Sequence, residues 1–129
     1  MTNPSAPDAL AAVELCRSDE LQEGGLAVPF DVVYEGEPCR AFAIRFEGQV
    51  HAYLNRCTHV AIELDWQPNR IFDDTGQWLL CAAHGAVYAP DTGAGVAGPC
   101  QGGLVKIGVS EAGGVVRWHP TEHLGPVVF

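Results

Sequence analysis

Cys57-Thr58-His59 and, further on, Cys81-Ala82-Ala83-His84-Gly85-Ala86-Val87-Tyr88 are the stretches that decide how this chain is read. Each offers one thiol and one imidazole. The Cys-x-His and Cys-x-x-His spacings are too short to present every donor from one regular element. They fit two loops that approach each other, each giving one cysteine and one histidine. Thiolate and imidazole are the donors that iron and zinc accept most readily among side chains.

Two metal chemistries are open on these four residues. A [2Fe-2S] cluster needs four ligands, two per iron. Cys57 and Cys81 would serve one iron, His59 and His84 the other. Two ferric irons, two sulfides and two thiolates sum to zero charge, whereas four thiolates would leave a dianion. An electron enters the neutral group more easily, so this donor set raises the potential. The other chemistry is a Cys₂His₂ structural zinc site, which would make the chain a zinc-stabilised interaction module. Zinc fingers place both histidines after both cysteines. Here the order alternates, which favours iron-sulfur.

Around these loops the chain reads as short strands. Leu26 to Tyr34 is apolar and β-branched, with Pro29 placing part of it at an edge or bulge. Ala41 to Phe46 and Gln49 to Leu54 are joined by a two-residue turn, Glu47-Gly48. Phe42, Ile44 and Phe46 fall on one face at period two. Asp73-Asp74-Thr75-Gly76 and Pro90-Asp91-Thr92-Gly93 are turns, and Gln77 to Cys81 follows the first as a strand. Leu104 to Val109 and Val115 to Trp118 are strands separated by Gly113-Gly114. Ser18 is expected to cap a short helical turn through Leu21. Trp66, Trp78 and Trp118 are expected in the core. The prediction is an all-β chain of about eight strands, with a flexible tail over residues 1–11 and one domain over 12–129.

Composition narrows the function. A hydrophobic content of 47% is that of a globular chain. Sixteen acids against seven bases give a net charge of -9, a surface that a nucleic-acid backbone repels. Acid is concentrated early, with Asp8, Glu14, Asp19, Glu20, Glu23, Asp31, Glu35 and Glu37 against Arg17 alone. That face keeps the protein soluble or steers a partner with a basic face. Pro4, Pro7 and Asp8 stand where a secretory leader would need a basic start and an apolar run, and no stretch reaches the roughly 18 apolar residues of a membrane helix. A soluble, cytoplasmic protein is expected, with no membrane partner. Cys16, Cys39 and Cys100 are read as reduced small hydrophobes.

From about Ala12 to Trp118 the sequence resembles the small Rieske [2Fe-2S] ferredoxins. The likeness is carried by the Cys-His pairs, by Asn55 and Gly85 beside them, and by Tyr88, Thr92-Gly93 and Gly98-Pro99. It implies a Rieske-type fold of stacked antiparallel sheets with a small cluster-binding subdomain at about 55–101. It also implies one [2Fe-2S] cluster per chain on Cys57, His59, Cys81 and His84. Gly85, Ala86, Tyr88 and Pro99 would stand behind the ligands, with the Gly98-Pro99 loop covering the cluster from the side.

Three departures from that family matter. The 21 residues between His59 and Cys81 exceed the usual gap and imply an insertion around Trp66 to Gly76. High-potential members carry a disulfide between the two loops, where this chain has Ile62 and Ala83. They also carry a serine where this chain has Ala86. Losing that hydroxyl removes a hydrogen bond to the cluster, so a low potential of the ferredoxin type is predicted.

The resemblance implies a one-electron carrier passing electrons from a reductase to a terminal oxygenase, with no catalytic residues of its own. A small Rieske subunit of a nitrite-reductase-type assembly is the alternative within the family. Gly93-Ala94-Gly95-Val96-Ala97-Gly98 matches the dinucleotide G-x-G-x-x-G pattern, but Pro99 and Gly102-Gly103 follow where a helix is required. It is read as a glycine-rich hairpin. His119 and His123 are separated by Pro120 and do not suggest a second metal site.

Overall fold

The computed structural model describes residues 11–56, 64, 69–81, 85–98 and 102–127. Among them are eleven strands: β1 (Val13–Arg17), β2 (Val28–Tyr34), β3 (Glu37–Phe46), β4 (Gln49–Leu54), β5 (Leu79–Leu80), β6 (Val87–Tyr88), β7 (Gly95–Ala97), β8 (Lys106–Ile107), β9 (Val109–Ala112), β10 (Val115–Trp118) and β11 (Leu124–Pro126). They form three antiparallel sheets, ordered β1-β10-β9, β11-β2-β3-β4-β8 and β5-β6-β7. No helix among the described residues is long and apolar enough to cross a membrane.

The β3–β4 hairpin organises the rest. Its turn residues Glu47 and Gly48 have φ of 51° and 77°, as a two-residue turn with matching twist demands. Glutamate is an unusual residue there. The Glu23 carboxylate holds it by accepting the N–H groups of both Glu47 and Gly48, at 2.6 and 2.9 Å. Phe42, Ile44 and Phe46 do share one face, in a core with Tyr53, Leu79 and Tyr88. Ala41 and Ala43, which alternate with them and point to the opposite face, are buried too, with Val32, Val116 and Trp118. The five-stranded sheet is therefore covered on both faces. The β1-β10-β9 sheet packs on one, and the segment bearing β5-β6-β7 packs on the other.

Pro29 sits where expected. β11 pairs with Val32–Tyr34 of β2, so among the described residues the proline end of β2 has no strand partner on that side. Three expectations need correction. Leu104 to Val109 is two strands, because the chain leaves the central sheet at Gly108, whose carbonyl accepts the His119 N–H. Trp78 is 42% exposed, while Leu79 beside it faces the core. Ser18 opens a 3-10 turn over Ser18–Glu20 without capping it; the Arg17 N–H donates to the Glu20 carboxylate instead, at 2.8 Å.

Arg45 fastens that turn to the sheets. Its guanidinium donates to the carbonyls of Leu21 and Ser18 and to both Glu111 oxygens, the shortest at 2.7 Å. The hydrogen bond from Arg45 holds the Glu111 carboxyl below its usual value. A depressed carboxyl pKa contributes stability above the unfolded value, and loses it as pH falls through the folded one. Glu111→Gln should therefore cost about 1 kcal/mol at neutral pH. That difference should vanish well below pH 4.5, the group's ordinary value. Urea midpoints of both proteins at the two pH values check this.

Candidate metal centre

Three loops converge on one buried cluster, and each is fastened at its base by backbone. The first leaves β4 after Leu54. Asn55 is buried; its N–H donates to the Arg40 carbonyl at 2.9 Å, and its Oδ1 accepts the Leu64 N–H at 2.7 Å. The side chain thus bridges the segment carrying Cys57 and His59. Removing a buried acceptor leaves the Leu64 N–H without it, so Asn55→Ala should cost about 1–3 kcal/mol. A urea titration reads that cost.

The second loop begins at Cys81, which is fully buried. Its N–H donates to the Ala86 carbonyl at 2.8 Å, and its own carbonyl accepts the Gly85 N–H at 2.9 Å. This reciprocal closure spans residues 82–84 and requires the left-handed φ of 75° that Gly85 adopts. Ala86 and Tyr88 are fully buried behind it.

The third loop leaves β7 at Gly98 and returns at Gly103. A Cβ on Gly98 would stand 2.5 Å from the Gly85 carbonyl oxygen and 3.0 Å from Ala86 Cα. One on Gly103 would stand 2.9 Å from the Gly93 carbonyl oxygen. The second and third loops touch backbone to backbone. Within the Gly93–Gly98 stretch, Gly95–Ala97 form β7, paired with β6, so among the described residues no helix N-terminus is present there for a dinucleotide.

The insertion supports the Cys81 segment. The Leu80 N–H donates to the Ile71 carbonyl, Phe72 pairs with Leu79, and Asp73 to Gly76 make the expected turn. Ile71 and Phe72 are buried in the core that holds Cys81 and Leu64. The Asn69 carbonyl accepts the Ala27 N–H at 2.8 Å, tying the insertion to the start of β2.

Of the expected ligands, Cys81 is described; Cys57, His59 and His84 lie outside the described residues, as do Pro99, Ile62, Ala83, Trp66 and Cys100. No group of three metal-ligating side chains forms among the described residues. The described part nevertheless fits a [2Fe-2S] group. A buried thiol stands at the base of a glycine-closed loop, and the first loop ends in the same core. The other two described thiols lie elsewhere. Cys16 is buried in the other core, and burial pushes its thiol up to about 11. The Cys39 sulfur accepts from the Arg56 guanidinium at 3.2 Å. His119 faces Ser110, and His123 lies beside Glu122. Sequence reasoning missed Glu23 and Gly103, whose roles depend on neighbours distant in the chain.

Residues 11–109 match the profile of the Rieske [2Fe-2S] domain. No curated protein matches the chain. Among solved structures, the ferredoxin of carbazole 1,9a-dioxygenase from Nocardioides aromaticivorans IC177 superposes with a TM-score of 0.68 at 25% identity, over 85% of this chain and 98% of that one. The Sphingomonas yanoikuyae B1 ferredoxin gives 0.64 at 24% identity, over 85% and 99%. A complex of reduced oxygenase and oxidized ferredoxin in carbazole 1,9a-dioxygenase gives 0.65 at 22%, over 84% and 92%.

Proposed function

Because this chain belongs to the Rieske [2Fe-2S] domain family, we propose that it is a soluble, cytoplasmic one-electron carrier that takes electrons from a reductase and delivers them to an oxygenase. The observation that carries this reading is a likeness spanning nearly all of a ferredoxin that serves carbazole 1,9a-dioxygenase. The family carries one [2Fe-2S] cluster, which supplies a site for a single electron, and family membership sets aside the zinc module.

The ligand assignment is Cys57 and Cys81 for one iron, His59 and His84 for the other, within a domain over 12–129 and a cluster-binding subdomain at about 55–101. This chain's residues then divide the work. Cys81 gives its sulfur from a fully buried position, shielded from water. Gly98 lets two loops meet without a side chain between them, and Gly85 supplies the left-handed turn that closes the Cys81 loop. Ala86 and Tyr88 fill the space behind, and Pro99 belongs to the covering loop. Ala86 offers no hydroxyl, which keeps the potential at the low end of the Rieske range.

The net charge of -9 suits a partner with a basic docking face. Electron delivery should therefore slow as salt rises. A redox titration tests the reading. A one-electron wave near the low limit of the Rieske range, about −150 mV, is expected. A potential well above zero, or no wave, would contradict it.

A further inference from the structure

We propose that Lys106 is a positioning residue for the Cys81 loop and that the protonation of His51 decides whether it acts. The inference rests on reading that loop as part of the cluster site.

Lys106, the chain's single lysine, pairs across β4 and β8 with Tyr53. Its ammonium lies 5.5 Å from the centre of the Tyr53 ring and donates to the Asp91 carbonyl. The Tyr53 hydroxyl donates to the preceding carbonyl, Pro90, at 2.7 Å. Two side chains from the central sheet thus hold two successive carbonyls of one turn. That turn closes through the Gly93 N–H on the Ala89 carbonyl and joins β6 to β7. Gly93 lies flat against the Tyr53 ring, where a Cβ would come within 2.7 Å of Cε1. The far ends of the same hairpin bring Gly85 and Ala86 against Gly98, at the base of the Cys81 loop.

His51 is two residues before Tyr53, hence on the same face of β4. Its Nδ1 lies 3.3 Å from the Lys106 ammonium. An ammonium has no acceptor, so this contact is a hydrogen bond only while Nδ1 carries a lone pair. Burial, and then Lys106 itself, hold the imidazole below its ordinary pKa, against the opposing Asp91 carboxylate. Among the described residues, Lys106 and Asp91 are the charged groups facing the ring. A proton on Nδ1 replaces the hydrogen bond by two cations in contact. Lys106 must then swing away, and the Asp91 carbonyl loses its donor. The Tyr53 fastening does not follow, because burial pushes that hydroxyl above its usual value and keeps it protonated. Mild acid thus releases one of two fastenings.

The test is a nuclear magnetic resonance titration of the holoprotein between about pH 8 and 5. It follows the His51 ring, the Thr92 amide nitrogen (which shares a peptide unit with the Asp91 carbonyl), and the Gly85 and Gly98 amides. All four should move with one midpoint. Lys106→Met should raise the ring midpoint by roughly half a pH unit and flatten the Thr92 response. Lys106→Arg should retain both behaviours, and His51→Gln should flatten the amides. The part of the pH-dependent reduction potential that follows the His51 midpoint should disappear in His51→Gln. A Thr92 amide that stays flat while His51 titrates would overturn the proposal. So would an unmoved ring midpoint in Lys106→Met, or flat Gly85 and Gly98 amides beside a moving Thr92. The His51 ring and Thr92 titrations do not depend on the cluster ligands, which iron and sulfide assays decide separately.

Discussion

Cys81→Ser should yield a colourless protein without the [2Fe-2S] cluster, while Cys16→Ser and Cys39→Ser keep theirs. Serine is a hard, weakly acidic donor where iron-sulfur chemistry calls for a soft thiolate. Cys81 is fully buried, and backbone hydrogen bonds on both sides fix its position, so no other described thiol can replace it. Cys16 lies in the opposite core with its thiol pushed up to about 11. Cys39 lies on β3 beside Arg56. Iron content, sulfide content and visible absorption of the three proteins form the comparison. A coloured Cys81→Ser protein with full iron would remove Cys81 from the ligand set.

The second large effect is expected at a position with no metal donor. Gly98→Ala places a methyl 2.5 Å from the Gly85 carbonyl oxygen, against backbone that no rotamer change can relieve. It also forces alanine into a left-handed φ of 76°. The left-handed conformation costs about 1–2 kcal/mol and the crowding about 1–3, giving a loss of roughly 2–5 kcal/mol. A thermal midpoint lower by about 10 °C follows. Gly48→Ala is the control. Its φ of 77° carries the same conformational cost, but nothing lies within 4 Å of the added carbon. The difference between the two variants measures the close approach of the loops. Because Gly85 adjoins His84, Gly98→Ala should also release iron faster on warming. Equal destabilisation by the two substitutions would mean that the loops do not touch as described.

Local chemistry was legible in the sequence where one segment decides its own conformation. Glu47-Gly48 between alternating strands announced the hairpin, and Phe42, Ile44 and Phe46 announced a buried face. What stayed hidden depends on partners distant in the chain. Ala41 and Ala43 look neutral in a hydrophobic pattern, yet they line a second core because another sheet covers them. Glu23 reads as one more surface acid, and only the fold brings its carboxylate to the turn amides. Trp78 is as apolar as Leu79, and the register of the insertion, not hydrophobicity, turned it outward. At the candidate site, the donor types and their loop spacing were legible, and Cys81 is buried at the start of its loop. The close contact of Gly98 with Gly85 was not, because a glycine records the absence of a side chain without naming what approaches.

Electron paramagnetic resonance of the dithionite-reduced protein, with iron and acid-labile sulfide assayed on the same sample, tests the central claim most directly. The account predicts two irons and two sulfides per chain. It also predicts an anisotropic signal whose average g lies distinctly below that of all-cysteine clusters, the mark of histidine on the reducible iron. A silent, colourless sample holding one zinc per chain would contradict it.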